Sequence, residues 1–499
     1  EVGSKPELLA VMAMTIETPD QLIICNGFKD AQYIEAVILA HKLGRTIIPV
    51  VENLKELMLI INFAEKYAVR PRIGVRVKLA ASGSGRWATS VGIKSKFGLT
   101  IAELLRAIGT LKRHDMLDCL QLLHCHSGSQ HQDITTIKMA ITELAHVFTQ
   151  MHDQGANLKY IDIGGGLGVD YQGSVSDRPS SMNYSLDEYA SDVIYRISSV
   201  CDSKGIDHPT VVTECGRAMV AYSSVLIFNV LGSTGPSDLV DHEFVVPDDD
   251  PDAPQPLRDL RHALNSLREK KPRLVEILHD TTRAREDAMS LFSLGYLTLE
   301  HRAEIERIFW TNCSLLQRAV WELDEVPEPL QGLDDLMSET YFANFSLFQS
   351  LPDTWAIDQL FPIMPIHRLN EAPEHRAVFA DITCDSDGKI DLFISETGEA
   401  EHTLAVHDIR GDEPYYFGVF LVGAYQETLG DLHNLFGDPH AVHIAIEDDD
   451  WSITEIVKGD SISEVLSYVQ FEPEKLARSL EKECERAVKR KDMSANPAP

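Results

Sequence analysis

The sequence is poor in positive charge. Its 45 lysines and arginines are outweighed by 77 aspartates and glutamates, a formal net charge of −32 over 499 residues. So acidic a surface repels phosphate backbones and anionic lipid, which argues against nucleic acid and membrane partners. Long apolar runs are also missing, none approaching the ~20 residues that span a bilayer. The opening Glu1-Val2-Gly3-Ser4-Lys5 has neither the basic nor the apolar segment of a secretory signal. The eight cysteines form no Cys-x-x-Cys pair and have no metal-like spacing, so reduced thiols in the cytoplasm are expected. Residue 1 is Glu rather than Met, which suggests a processed or truncated chain. What remains is an ordinary globular composition, 44% hydrophobic and 24% charged, long enough for several domains.

From the start to about residue 231, strand-like runs alternate with amphipathic helix patterns. QLIICNG, TIIPVV, RIGVRV, LQLLHCH, KYIDIGGG and PTVVTECG are short, rich in β-branched residues and end in polar residues or glycine, as buried parallel strands do. Ile134, Ile137, Ile141, Leu144, Phe148 and Met151 recur on one helical face. Thr100…Glu103 and Ser185…Glu188 match capping boxes that open helices. Repeated strand–helix units predict a parallel α/β fold, an open sheet or an eight-stranded barrel, with polar residues gathered at the strands' C-terminal ends. Glu1-Val2-Gly3-Ser4 reads as the stump of a further strand, so a barrel would need one strand and part of another upstream of residue 1.

The expected domains are a barrel over 1–231, a polar linker over 232–257, a helical bundle over 258–345, a β domain over 346–470 and a terminal helix with a disordered tail over 471–499. Ile305, Ile308, Phe309, Leu316, Val320 and Leu323 outline the bundle's buried stripe. Asp248-Asp249-Asp250 in the linker reads as a solvated loop rather than a metal site. HRAVFADITC, KIDLFIS, TLAVHDI, YYFGVFLVGAY, HAVHIAIED and WSITEIV predict a β-sandwich or small barrel.

Four constellations carry chemistry. Gly164-Gly165-Gly166 follows the strand KYIDI and can bring backbone N–H groups close to a phosphate, or can simply make a tight turn. His124 and His126 point to the same side of their strand. No third ligand has metal-like spacing, which leaves a ring stacked on an aromatic cofactor, with Ser129 reaching a phosphate, or a hydrogen-bonded core histidine, a reading that suits His124 better. Glu214-Cys215-Gly216-Arg217 can serve a basic ring nitrogen through the carboxylate and a phosphate through Gly216 and Arg217, or can form a salt bridge within its loop. Thr383 to Gly388 matches an Asp-Gly hairpin turn, and its Asp-x-Asp-Gly pattern lacks the remaining ligands of a calcium loop.

These segments, with GSGRWATSVGIKSKFGL, LQLLHCHSGSQ, DIGGGLGVDY, TECGRAMV, DITCDSDG and FGVFLVGAYQETLGDLHNLFGD in one order, resemble the fold-type III pyridoxal-phosphate (PLP) decarboxylases. Within them the chain resembles the long biosynthetic arginine decarboxylases from Glu1 to about residue 470. The resemblance implies a PLP-binding (β/α)8 barrel, a helical insertion and a C-terminal β domain. It implies decarboxylation of L-arginine to agmatine in polyamine synthesis, magnesium (Mg2+), and a homodimer or higher homo-oligomer with shared sites. Carried over by motif, His126 would stack on the cofactor ring and Arg76 would support its polar edge. Ser129, Gly164, Gly165, Gly166, Gly216, Arg217 and Tyr425 would hold the phosphate, while Glu214 would pair with the ring nitrogen. Cys384 would give the proton that replaces carbon dioxide, and Asp385, with Asp387, would face the substrate's distal cation. The family's Schiff-base lysine lies in a Pro-x-Lys-x-Asn-like motif on the first barrel strand. The chain contains no such motif, and Lys5, in the loop after the second strand, does not replace it. The lysine is therefore expected upstream of residue 1, and the 499 residues alone are expected to be inactive. Alternatives are a decarboxylase for ornithine or diaminopimelate, or a non-catalytic cofactor-binding subunit. A cationic anchor for a second carboxylate would favour diaminopimelate.

Overall fold

The computed structural model describes residues 1–80, 95–240, 253–395, 397–411, 413–447 and 450–494. Most of GSGRWATSVGIKSKFGL, the Asp248–Asp250 run and the last five residues therefore lie outside the described residues. The chain divides into two compact units, Glu1–Ser224 and Val225–Pro499.

In the first unit, six parallel strands follow chain order in one sheet: β1 (Ile23–Cys25), β2 (Ile47–Val51), β3 (Ile73–Arg76), β4 (Leu120–His124), β5 (Tyr160–Asp162) and β6 (Thr210–Val212). Each is one of the runs read from the sequence. Val2 adds a parallel bridge to Cys25 on the free side of β1, where the opening residues were expected to continue the sheet. β2 is buried along its whole length, as strands covered on both faces must be. The helix Ile134–Asp153 buries all six residues of the stripe from Ile134 to Met151 against this sheet's core. Thr100 and Glu103 close both bonds of a capping box. Ser185 accepts only the Glu188 N–H (3.1 Å), so the second expected box is half formed.

In the second unit, helices Gln255–Leu267, Leu274–Ser293 and Leu299–Trp321 pack around Leu257, Leu260, Ile305, Ile308 and Phe309. Leu316 and Val320 are buried in a neighbouring cluster, but Leu323 lies past the helix end and is exposed, so the expected stripe stops one residue short. The seven-stranded mixed sheet runs Lys389–Ile390, His375–Ala380, Glu339–Ala343, Val225–Thr234, Tyr416–Phe420, Ile363–Pro365, with Leu404–Val406 also on His375–Ala380. Val225–Thr234 is a correction. Residues 225–231, read as the end of the barrel, pair instead with Glu339–Ala343 and Tyr416–Phe420. Their ring partners explain why: Phe228 lies 5.2 Å from Phe345 and Phe379 and 5.5 Å from Phe417. The hairpin Ala441–Glu447/Asp450–Val457 sets Val442, Ile444 and Ile446 opposite Ile456, Ile453 and Trp451, giving one exposed apolar face.

Candidate functional site

The C-terminal ends of the six parallel strands carry a polar layer. Asn26 follows β1, Glu52 follows β2, Arg76 ends β3, His124 ends β4, Asp162 ends β5, and Glu214 lies two residues past β6. Parallel strands held in register deliver these groups at one level: His124 pairs with both Arg76 and Asp162, and Asp162 with Val212.

Glu52 Oε1 accepts the Gly27 N–H (3.1 Å) and faces Arg76 Nη1 at 3.4 Å, while its Oε2 is buried without a hydrogen bond among the described residues. The Arg76 guanidinium also lies 5.7 Å from the Phe97 ring centre. Below this pair, Lys29 and Glu56 form a buried ion pair at 3.2 Å, and Glu56 accepts the N–H groups of Lys29 and Glu52. The Asn26 side-chain amide donates to Glu214 Oε1, and Asn26 Oδ1 is buried and has no hydrogen bond among the described residues.

His124 is wholly buried. Its Nδ1 lies 2.9 Å from Asp162 Oδ2 and 3.9 Å from Glu214 Oε1, distances of an ion pair without hydrogen-bond alignment. Burial lowers its pKa, against the pull of Glu214. Burial raises both Asp162 and Glu214, and Glu214 is raised further by Asp162 and lowered by His124. The expected hydrogen-bonded core histidine is thus a histidine between two buried carboxylates. His126, just beyond β4, accepts the Gly128 N–H on Nδ1 (3.1 Å), and burial, then Arg76, pushes its pKa down to about 3. Its ring is neutral near pH 7.

The glycine run packs against the histidine loop. Gly164 has φ +69°, and a Cβ there would lie 2.3 Å from the Cys125 carbonyl oxygen. Gly166 has φ +112°, and its Cβ would lie 2.4 Å from the His131 ring. At Gly165 the nearest atom to such a Cβ is His126 Nε2, at 3.4 Å. Gly164 and Gly166 are therefore required by packing, and Gly165 presents backbone toward the His126 ring. Gln130 ties the two loops by bonding Val169 through both ends of its amide (2.7 and 3.0 Å). Ser129 sits half-buried in the same loop. The Glu214 N–H donates to the Gly164 carbonyl (2.9 Å), joining the third loop. Gly216 is exposed, and Arg217 is buried with Nη1 on the Tyr171 hydroxyl at 3.0 Å. One loop system thus brings together Arg76, His126, Ser129, Gly164, Gly165, Gly166, Glu214, Gly216 and Arg217.

The other expected residues belong to the second unit. Asp385–Gly388 makes the turn of a β-hairpin between His375–Ala380 and Lys389–Ile390. Asp381 accepts from Thr383 N (2.9 Å) and Leu347 N (2.8 Å), anchoring the turn's base. Cys384 is exposed, and its N–H donates to Asn434 Oδ1 (2.9 Å). Asp385 Oδ1 accepts the Asp387 N–H (3.0 Å), and Oδ2 lies 3.6 Å from His433 Nε2. Tyr425 is exposed at φ +71°, capping the short helix Gln426–Leu429.

The sequence reading missed Asn26, Glu52, Asp162, Gln130, His433 and Asn434. A signal existed for the first three, since each is the polar residue at or just past the C-terminal end of a strand already recognised. The other three carry none, because their partners are set by loop folding.

Residues 1–221 match the family described as pyridoxal-dependent decarboxylase, pyridoxal binding domain. Residues 250–334 match the arginine decarboxylase helical bundle domain, and 462–498 the arginine decarboxylase C-terminal helical extension. The biosynthetic arginine decarboxylase of Phocaeicola vulgatus is 49% identical over 490 residues, covering 98% of this chain and 76% of that protein. That of Rhodopirellula baltica is 48% identical over 515 residues, with the same coverage of 98% and 76%. The crystal structure of the biosynthetic arginine decarboxylase from Campylobacter jejuni matches with a TM-score of 0.81 at 34% identity, over 96% of this chain and 76% of that one. Diaminopimelate decarboxylase from Helicobacter pylori, complexed with L-lysine, matches with a TM-score of 0.58 at 16% identity, over 92% of this chain and 82% of that one, a likeness of fold alone.

Proposed function

Because the chain belongs to the biosynthetic arginine decarboxylases, within the pyridoxal-dependent decarboxylase family, we propose that it converts L-arginine to agmatine and carbon dioxide, supplying putrescine and spermidine synthesis. The near-full-length likeness to the Phocaeicola vulgatus enzyme carries this reading. The residues at the strand ends fit the cofactor. Asn26 Oδ1 and Glu52 Oε2 are buried polar atoms without partners among the described residues, as a polar ligand's walls would be. A side chain at Gly164 or Gly166 would collide with the histidine loop.

Pyridoxal phosphate, when bound, supplies an electron sink for the bond that releases carbon dioxide. In this reading the neutral His126 ring would help to hold the cofactor ring, and Arg76, fixed by Glu52, would support its polar edge. Glu214 holds a proton at the ring nitrogen. Ser129, Gly164 to Gly166, Gly216 and Arg217 take the phosphate, the last as a charged donor. For Tyr425, Cys384, Asp385 and Asp387 the roles rest on family likeness: phosphate, proton delivery, and recognition of guanidinium by the two aspartates. Sharing of sites in a homodimer or higher oligomer belongs to the same proposal, as does a cytoplasmic setting, which eight unpaired cysteines favour. Magnesium is proposed only at the level of the family, and dialysis against chelator with metal add-back tests it. Among the described residues the tightest donor trio, His124, Asp162 and Glu214, offers an imidazole where magnesium prefers oxygen.

The test uses a form of the protein that gives a borohydride-stable lysine adduct with the cofactor. Agmatine formation should exceed product formation from ornithine or diaminopimelate, and equal or faster release from either would overturn arginine as substrate. Glu214→Gln should keep the adduct yet slow turnover by on the order of 100-fold or more, the scale of a lost proton-holding group. Near-normal turnover would remove Glu214 from the chemistry.

A further inference from the structure

Where β4, β5 and β6 end, three buried groups share one small volume. The polar atoms of His124, Asp162 and Glu214 all lie within 4.8 Å of one another. The Asp162 and Glu214 side chains are 0% and 7% exposed, so water screens neither. Each carboxylate is held from outside the trio: Asp162 Oδ1 by the Gly164 N–H (2.9 Å), Glu214 Oε1 by the Asn26 amide. The other charged side chains that face the trio are Arg76 from β3, Glu52 after β2, and Glu1. Two ionised carboxylates this close, beside a neutral imidazole in a dry site, are costly. The trio therefore retains a proton through neutral pH, and where that proton rests decides whether Glu214 is charged.

We propose that His124 and Asp162 are positioning residues that set the charge of Glu214 in opposite senses, the imidazole drawing the trio's proton off Glu214 and the Asp162 carboxylate driving it there. The inference rests on the reading of Glu214 as the partner of the cofactor's ring nitrogen, and it gives that reading a physical means. Asp162 alone beside Glu214 would favour a proton shared between carboxylates, as in any close acidic pair. His124 Nδ1 faces both carboxylates, 2.9 Å from Asp162 and 3.9 Å from Glu214, and gives the proton a third site.

The two residues act on Glu214 with opposite sign. Removing the imidazole, which lowers Glu214, should raise the pH at which Glu214 ionises. Removing the Asp162 charge, which raises Glu214, should lower it. Carboxyl NMR of cofactor-free protein carrying 13C-labelled glutamate, with Glu214→Gln to identify the signal, reads this directly. His124→Gln should move the Glu214 midpoint up and Asp162→Asn should move it down, each by roughly one pH unit. Shifts in the same direction, or none, overturn the proposal, because a merely space-filling role produces no such opposition. If either variant does not fold, the unaltered protein decides: His124 and Glu214 must report a coupled two-step titration. Two independent single-step curves would also overturn it. The functional reading fails separately, when Glu214 titrates as described but Glu214→Gln leaves the loaded cofactor's absorbance and turnover unchanged.

Discussion

The two units hold their candidate residues by opposite means. In Glu1–Ser224 the polar groups are buried and face one another across strand ends: Asn26 with Glu214, Arg76 with Glu52, His124 with Asp162. In Val225–Pro499, Cys384, Asp385 and Tyr425 sit on exposed or half-exposed turns, and local backbone sets them. Tyr425 and Asn434 have φ of +71° and +52°, and Asp381 fastens the base of the Cys384 turn. Electrostatic effects are strong in a dry, interlocked site and weakened by water in an open one. Substitutions in the first unit should therefore cost fold and chemistry together, and those at Asp385 in the second should tune recognition.

The sharpest contrast is between two glycines. A Cβ at Gly164 meets a backbone oxygen at 2.3 Å with φ at +69°, whereas one at Gly411, φ +51°, meets nothing within 4 Å. Gly164→Ala should destabilise the first unit by about 3 kcal/mol or more, the left-handed cost plus that of overpacking. Gly411→Ala should pay only the former, about 1–2 kcal/mol. Thermal and urea unfolding of the two variants reads the difference, and equal losses would break the comparison.

The same contrast explains what could be read in the sequence. All six parallel strands were legible: five are buried apolar runs that end in something polar, and Thr210–Val212, exposed to half-buried, still carries the β-branched run and the polar end. The glycine run and His126 were legible as motifs. Asn26, Glu52 and Asp162 were not singled out: each carried only the weak signal of a polar residue at a strand's end, and the significance of Asp162 lies in His124, from another strand. Val225–Thr234 was misplaced for a related reason. Its partners Glu339–Ala343 and Tyr416–Phe420 are more than a hundred residues away in sequence, and period-two alternation carries no address. In the second unit the Cys384–Gly388 turn was legible as a turn, but its neighbours His433 and Asn434 were not, because left-handed backbone at Asn434 brings them there.

A second effect should be acid sensitivity in the first unit. Burial pushes His126 down to about 3 and His131 to about 4, from ordinary values of 6.5. A histidine lowered on folding adds stability that is complete above its unfolded value and is lost as pH falls toward its folded one. For His131 that loss is on the order of 2 kcal/mol by pH 5. Hydrogen exchange at falling pH, between about 6.5 and 4, should show Glu1–Ser224 losing protection, and His131→Gln should flatten that slope. A slope unchanged in His131→Gln would show that the imidazole is not held neutral.

The smallest effect expected is at the open site. The Asp385 side chain is 36% exposed, 3.6 Å from His433, so a substrate cation bound there gains a screened interaction. Asp385→Asn should cost about 1 kcal/mol in arginine binding, a KM roughly fivefold higher at unchanged kcat. Added salt should narrow the gap between variant and parent, because water already reaches the carboxylate. Glu214→Gln should show no such salt dependence, being dry on the protein side. Two outcomes would count against this. An unchanged KM would remove Asp385 from substrate recognition. A large, salt-independent fall in kcat would mean that Asp385 works in a water-excluded setting when substrate is bound, and the distinction between a buried chemical site and an open recognition turn would no longer hold.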